Sequence, residues 1–447
     1  MLLGYVENAK NKQIGTMLAT AVGLGAIIGA GIFVLSGTAI AQAGADALFA
    51  FILVGAVALI IAFELGELSS IFPKLTGAAY SYIYEAFGSE LGFITGILLY
   101  LSFATALAVI ATGFGSYLAS LLGISFSGSI QAFAILLIVA LAALTVTGMK
   151  KAVKADFVLV VIKIVALLLF IGFALVFAFH NSGFNLNNFT ISKAQSGAGA
   201  FFAACLVIFF AYTGFQTIVT LTPKIRGGGK AAARATLMAV VISMAIYIAV
   251  VVALLLLMPA SKYNVSGDPL AMALHYSSAP AWVSLAVGIG ALVATASASL
   301  AMIIASSNQL YQVSKDRLLP KLLRGYNEKR GEPTQSVVVT AIVAMIMLFS
   351  GNIFVMTAIS DFGLLLSYLV VGFAVIHFRK RGVKAEVRTP LYPYVPIIGV
   401  VALLLFMIGM PKESLVIGVI MVLSLIVIYY TLREAEDKRI VKIKLFK

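Results

Sequence analysis

Lys163 stands inside Phe157-Val-Leu-Val-Val-Ile-Lys163-Ile-Val-Ala-Leu-Leu-Leu-Phe170, an apolar run that with its flanks is long enough to cross a bilayer. The chain carries 31 Lys and Arg, and Lys163 is the only one assigned to membrane depth. An ammonium there is costly, and it is tolerated mainly where a protein needs it for an ion pathway or a proton relay. Its chemistry is to lose and regain a proton, or to stand as a fixed cation in place of a bound one. Desolvation disfavours the charged form. The plainer alternative is a side chain that snorkels to the interface. Seven residues separate it from Asp156, about 10 Å of helix at about 1.5 Å per residue, which a lysine stem does not comfortably cover.

The second chemical signal is a pair of interrupted apolar spans. The first carries Gly23-Leu-Gly25-Ala-Ile-Ile-Gly29-Ala-Gly31-Ile-Phe33, and the sixth carries Phe209-Phe210-Ala211-Tyr212-Thr213-Gly214-Phe215. Glycine costs about 1 kcal/mol in a helix interior relative to alanine, so the glycines from Gly23 to Gly31 invite unwinding. Unwound backbone at membrane depth is allowed only where it is buried or lines a cavity. Close helix packing through small residues is the alternative for the first span alone. Two interruptions at corresponding places, five spans apart, point instead to an inverted-repeat transporter with its site at the midplane.

The elements that would hold these residues are membrane helices. Hydrophobic residues make up 62% of the chain and charged residues 11%, a balance that leaves too little polar surface for a water-soluble globule of this length. Twelve apolar segments can be marked, at 14–42, 46–71, 92–120, 128–148, 156–179, 198–222, 233–258, 282–311, 335–350, 353–378, 394–411 and 413–432. With the N-terminus inside, only Lys193, Lys262 and Lys412 fall in outer loops, and the remaining basic residues apart from Lys163 lie on the inner side. The positive-inside rule then orients the chain with both termini in the cytoplasm and the protein multi-pass in the cell membrane. The net charge of +14 is thus a topology signal and a contact with anionic headgroups, and not a nucleic-acid footprint. The polar stretch 1–13 lacks a small-residue cleavage site, so the first span is expected to be retained.

The expected organisation is an all-α membrane protein. It has a cytoplasmic tail (1–13), a first five-helix repeat (14–179), a second (198–378), two additional helices (394–432) and a C-terminal tail (433–447). Segment 259–281 is a candidate lid, in which Asp268-Pro269 should cap a short helix. The aromatic-rich Tyr80-Ser-Tyr82-Ile-Tyr84 stretch reads as a re-entrant or interfacial helix.

The motifs resemble those of the amino acid–polyamine–organocation (APC) transporters, which share the fold of the sodium-coupled transporter LeuT. Gly25-Ala-Ile-Ile-Gly29-Ala30-Gly31-Ile32-Phe33 is similar to the first-helix signature of that family. Glu67-Leu-Ser-Ser-Ile-Phe-Pro73-Lys-Leu-Thr-Gly77-Ala-Ala-Tyr80 and Ser314-Lys-Asp316-Arg-Leu-Leu-Pro320 are similar to its stretches after helices 2 and 8, with Arg317 in place of a glycine. The resemblance runs from about residue 14 to 380. It implies a 5+5 inverted repeat with broken helices 1 and 6, and a prokaryotic-type, proton-coupled amino acid transporter. Lys163, preceded by Val153-Lys-Ala-Asp156-Phe157, looks like the lysine that in some members fills the volume of a structural sodium ion. Its charged form would need Gly25 and Ala26 of the first helix and hydroxyls such as Thr295 and Ser297 of the eighth.

For an amino acid substrate, the N–H groups of Gly29, Ala30 and Gly31 at a helix start suit the carboxylate. Unwound carbonyls around Ile27, Ile28, Phe210, Ala211 and Thr213, beside Gly214, suit the ammonium. Tyr212 and Phe215 either close over the substrate side chain or simply pack. Departures from the family pattern are Gln216 where many relatives have an acid, and Thr222-Pro223-Lys224-Ile-Arg226 where many have a glutamate pair before Asn-Pro; they weaken the carry-over of an inner gate built on that glutamate and leave helix 6 without the ionisable group that some exchangers of cationic amino acids use. Glu67 is expected to pair with inner-loop cations, Glu64 is a candidate second proton carrier, and Asp361 is expected to be solvated at the outer end of helix 10. With no acid placed at the centre, a small neutral or apolar amino acid fits best as substrate, with protons as the coupling ion. A polyamine, amine or amino acid exchanger of the same fold is the alternative, and an ion channel is the alternative of another class. A single cysteine and three scattered histidines offer neither a nucleophile–base set nor a metal site, so no enzyme, metal or cofactor is expected. The oligomeric state is left open.

Overall fold

The computed structural model describes residues 14–75, 77–124, 126–147, 149–180, 189, 197–327 and 332–445. The expected N-terminal tail, Lys193 and the side chains of Val153–Phe157 lie outside the described residues. Among the described residues there are seventeen α-helices and no strand, only isolated bridges. In chain order they are α1 (Thr16–Ile27), α2 (Ala30–Val34), α3 (Ser36–Ala43), α4 (Ala47–Ile71), α5 (Ala79–Phe87), α6 (Ser89–Leu122), α7 (Ser129–Thr147) and α8 (Met149–His180). There follow α9 (Ala198–Ala211), α10 (Gln216–Thr220), α11 (Gly228–Leu257), α12 (Pro269–Tyr276), α13 (Ala281–Lys315), α14 (Thr334–Leu348), α15 (Ile353–Lys380), α16 (Tyr394–Ile408) and α17 (Lys412–Leu445).

Ten helical stretches among the described residues are long and apolar enough to cross a membrane. The expected spans 335–350 and 394–411 appear as α14 and α16, apolar helices of 15 residues each. At about 1.5 Å per residue each covers less than the roughly 30 Å hydrocarbon layer. Large apolar side chains such as Leu136, Ile346, Leu423 and Val427 face outward. Such a surface is stable only where lipid covers it.

The centre is the 34-residue α6, whose long side packs on α13, α15, α7 and α14. A second group forms around α4 and α11, with α1 against α11 and α9 against α3 and α4. Helix α8 bridges the two by packing on both α13 and α11. Small residues allow this tightness: Gly290 of α13 packs directly on Ala166 of α8, as expected where lipid supplies no hydrophobic drive between helices. On the side where the first span begins, Ile14 pairs with the segment after α10: its N–H donates to the Lys224 carbonyl, and its own carbonyl accepts from Arg226, both at 2.9 Å. Backbone pairing thus occupies the region where the family-type glutamate pair is missing.

The short helices fall where the sequence placed them, with one correction. Helix α5 occupies the aromatic stretch, and the Tyr80 hydroxyl donates to Asp316 Oδ2 at 2.7 Å, joining the two motif regions after α4 and α13. Helix α12 starts at Pro269 with Asp268 in the cap position, but the carboxylate does not cap. Burial pushes its carboxyl above the ordinary range, and the nearby Ser120 side chain at the end of α6 pulls it partly back. The segment before α12 touches α6 where Gly267 lies on Ser116 and Gly113.

Candidate functional site

Both glycine-marked spans are broken. The first stays helical through Gly23 and Gly25 and gives way at Ile28 and Gly29, where φ −143° and ψ −138° turn the chain before α2 begins at Ala30. The sixth leaves α9 after Ala211, makes a 3-10 turn over Thr213–Phe215 and resumes as α10. The two breaks touch backbone to backbone. Gly31 lies on Ala211, and Gly214 lies on the Ala26–Ile27 peptide, where any added Cβ would overlap main-chain atoms. Glycine is required at both positions because nothing larger fits between the two chains.

The carbonyls expected to receive an ammonium are partly occupied. The Tyr247 hydroxyl of α11 donates toward Ile27 O at 2.7 Å and Ala211 O at 2.9 Å, one proton shared between the two breaks. The Thr213 hydroxyl donates to Phe210 O at 2.9 Å. Tyr247 is wholly buried and was not among the residues singled out from the sequence. One tyrosine in a plain apolar helix has no local signal that it reaches two carbonyls from distant segments. Tyr247→Phe removes this bridge and nothing else of comparable size. We expect it to leave the protein folded, to cost about 1 kcal/mol of stability, and to change substrate affinity at least severalfold, checked by a binding titration beside a thermal melt.

Lys163 is fully buried on α8, and its Nζ donates to the Gly25 carbonyl of α1. The side chain therefore turns toward the first-span break and not toward either interface. Thr295 and Ser297 of α13 are buried as well, and the Thr295 hydroxyl donates to its own helix at Ala291 O, 2.7 Å. Gly29 packs on Ala298 of α13, so α1, α8 and α13 meet around the break.

Tyr212 and Phe215 are both packed on protein. The Tyr212 ring lies edge-on to Tyr247 with centroids 5.1 Å apart, and its hydroxyl donates to Phe51 O at 3.4 Å. Phe215 stacks on Tyr368 of α15 at 5.8 Å. Tyr117 of α6 donates to Phe33 O at 2.6 Å and fixes the far side of α2. Tyr368 and Tyr117, like Tyr247, are contacts that the sequence did not disclose.

The acids require one correction. Asp361 was expected to be solvated, yet it is completely buried in α15, and neither carboxylate oxygen has a hydrogen-bond partner. It begins one stripe with Tyr368, seven residues and two turns further along α15. It stands eight residues inside α15, more than two turns from the start at Ile353, and packing of α15 against its neighbours removes it from water. Glu64 is buried too, with Oε1 unpartnered. Glu67 behaves as expected: Arg379 binds it through Nε at 2.7 Å and Nη2 at 2.8 Å, and the Thr389 N–H donates to it at 2.7 Å. Among the described residues no cluster of metal-ligating side chains occurs.

Comparison with known proteins places this geometry in a context. The family model described as amino acid permease matches residues 14–432. The chain is 30% identical over 425 residues to the methylthioribose transporter of Bacillus subtilis, covering 90% of each chain. It is 29% identical to the branched-chain amino acid permease of Lactococcus lactis subsp. cremoris, covering 96% of each. It is 26% identical to the serine/threonine exchanger of Bacillus subtilis, covering 88% of this chain and 90% of the exchanger.

Proposed function

The chain belongs to the amino acid permease family, and on that premise we propose that it is a secondary active transporter of small neutral or apolar amino acids, sodium-independent and proton-coupled. No enzymatic reaction is assigned to it. In this reading α14 and α16 complete twelve spans. Two five-helix repeats (14–179 and 198–378) work around the paired breaks, and 394–432 stands outside them. The protein sits in the cell membrane with both termini in the cytoplasm.

The observation that carries this reading is the Lys163 bond to the Gly25 carbonyl, three residues before the break at Ile28. A protonated lysine there ties α8 to α1. Loss of the proton removes the donor's charge, weakens that tie and lets α1 tilt, which opens the site on one side. The substrate carboxylate is assigned to the N–H groups of Gly29, Ala30 and Gly31. The ammonium is assigned to carbonyls of Ile27, Ile28, Phe210, Ala211 and Thr213, where it would replace the Tyr247 proton at Ile27 and Ala211. Gly214 permits the close approach of the two breaks, and Tyr212 and Phe215 bound the side-chain end.

A second reading, transport of an amine or polyamine, is favoured by one observation. Asp361 is a buried carboxyl without a partner, and in this reading it gives up its proton to a cationic substrate and becomes the counter-charge missing from the sequence analysis. The test is uptake into sealed liposomes holding the purified protein, with an inside-alkaline pH gradient and no sodium. The names of the relatives set the first compounds: branched-chain amino acids, serine, threonine and methylthioribose, with polyamines beside them. Accumulation of a neutral amino acid is the expected result. Accumulation of polyamines alone would establish the second reading, and uptake that ignores the gradient and needs a loaded counter-substrate would make the protein an exchanger.

A further inference from the structure

We propose that Glu64 is a proton-binding site, separate from Lys163, that holds α4 against α15 and α16 when protonated and releases it when ionised. Glu64 is 2% exposed, and its Oε1 has no hydrogen-bond partner. The carboxyl lies where three helices meet without side chains in the way. A Cβ added at Gly372 of α15 or at Gly399 of α16 would each stand 3.4 Å from Oε1. Gly372 also faces Val400 and the Pro396 carbonyl, and Gly399 faces Ile60, so the two glycines and the α4 surface form one closed seam.

Among the described residues no cation shares that seam. On α4 itself the neighbouring acid is Glu67, one turn on, which is already held by Arg379 and the Thr389 N–H. On α15, Arg379 is committed to Glu67 and to the Thr389 carbonyl, His377 lies against the rings of Phe87 and Phe378, and Tyr368, one turn before Gly372, packs its neutral phenol on Phe209 and Phe215. The titratable group of α16 is Tyr394, which is exposed. Helix α11 meets α4 through Gly66 on Ala233 and Gly55 on Met244, positions about half a helical turn away from Glu64, so Lys230, Arg234 and Tyr247 lie across the helix. Helix α9 brings Cys205 and no charged residue, and α10 brings no titratable residue.

At Oε1 a carboxylate in such a place has nothing to accept from, and a charge left unpaired there is not stable away from water. The neutral acid fits, and it packs against backbone that only glycine leaves open. The ionised acid fits only if α4 moves off α15 and α16 and water reaches it, with the proton passing to that water. Proton binding at Glu64 and closure of this seam therefore favour each other, by linkage. Lys163 is engaged on a different junction, between α8 and α1. The molecule thus carries one titratable group at each of two junctions, of opposite charge type.

The test is infrared difference spectroscopy of the full chain in liposomes, stepped between acid and alkaline pH, with wild type beside Glu64→Gln. The expected result is a protonated-carboxyl band in wild type, lost at alkaline pH and missing in Glu64→Gln. The band from Asp361 remains in both and serves as the control. Glu64→Asp, which keeps the acid but draws it one methylene out of the seam, should restore a band that titrates at a lower pH. That variant also carries the test if Glu64→Gln does not fold. Identical infrared titrations for wild type and variants would overturn the proposal. The readout uses no substrate, so failure of the transport assay leaves it standing, and its own failure leaves the Lys163 reading standing.

Discussion

Lys163→Ala is expected to abolish accumulation of substrate driven by a pH gradient, bringing the internal level down to that of passive equilibration. Two effects act together. Removal of the ammonium leaves the Gly25 carbonyl without its donor, a loss of roughly 1–3 kcal/mol for a buried acceptor. Truncation of a fully buried lysine also leaves a void where α1, α8 and α13 converge, at a further cost that depends on how well the site collapses. Coupling between sites is typically about 1–3 kcal/mol, or roughly 5–150-fold in affinity, so loss of the coupling group should be read easily. Lys163→Met separates the two effects, because it keeps most of the volume and discards the charge. The measurement is uptake at an imposed pH difference, beside counterflow exchange at equal pH. We expect accumulation to fail in both variants and exchange to persist in Lys163→Met. Accumulation that survives in Lys163→Ala would mean that the lysine is a fixed cation, and coupling would have to be sought elsewhere.

Arg379→Ala should cause the largest loss of stability of any single change on the side where α4 and α15 end. Glu67 is 1% exposed and accepts two bonds from Arg379 and one from Thr389. Removing the guanidinium leaves a buried carboxylate with one N–H, and breaking a buried pair in this way costs about 3–5 kcal/mol. The guanidinium also donates to the Thr389 carbonyl at 2.8 Å and lies 4.5 Å from the centre of the Tyr392 ring. The change therefore loosens the segment between α15 and α16 as well. Arg379→Lys should not rescue, because an ammonium cannot make the paired Nε and Nη contact. The measurement is a thermal melt in detergent, completed as a double-mutant cycle with Glu67→Gln. The double variant should recover part of the loss, since it removes the stranded charge. A single-variant cost below about 1 kcal/mol would mean that the pair behaves like an exposed salt bridge.

The membrane character, the helical class and the two breaks were legible in the chain, and the reasons are physical. Apolar runs of spanning length have one stable form in lipid, the helix that satisfies its own backbone. The glycines of the first span mark a weak point, and the chain breaks at Ile28 and Gly29 within that stretch. The family resemblance rests on short local motifs and agrees with the amino acid permease match over residues 14–432. The buried position of Lys163 followed from its surroundings in sequence, because both flanks are apolar for more than a turn.

The contacts across the site were not legible. Asp361 lies in the outer half of its span, which suggests water, but whether such a residue is wet depends on the neighbours that stand around it. Here α6 and α17 close over that part of α15, with Gly363 on Leu98 and Ser102 and Gly418 on the Phe362 ring. Tyr247 bridges carbonyls 220 and 36 residues away in the chain, and no local pattern encodes a partner at that distance. The same holds for Glu64, whose role is defined by two glycines on α15 and α16. Local composition and spacing determine which segments enter the membrane and where they yield, because those depend on each segment's own backbone and its solvent. Which buried polar groups find partners, and which are left without one, is decided only when the helices pack, because in lipid each such group depends on what the neighbouring helix brings to it.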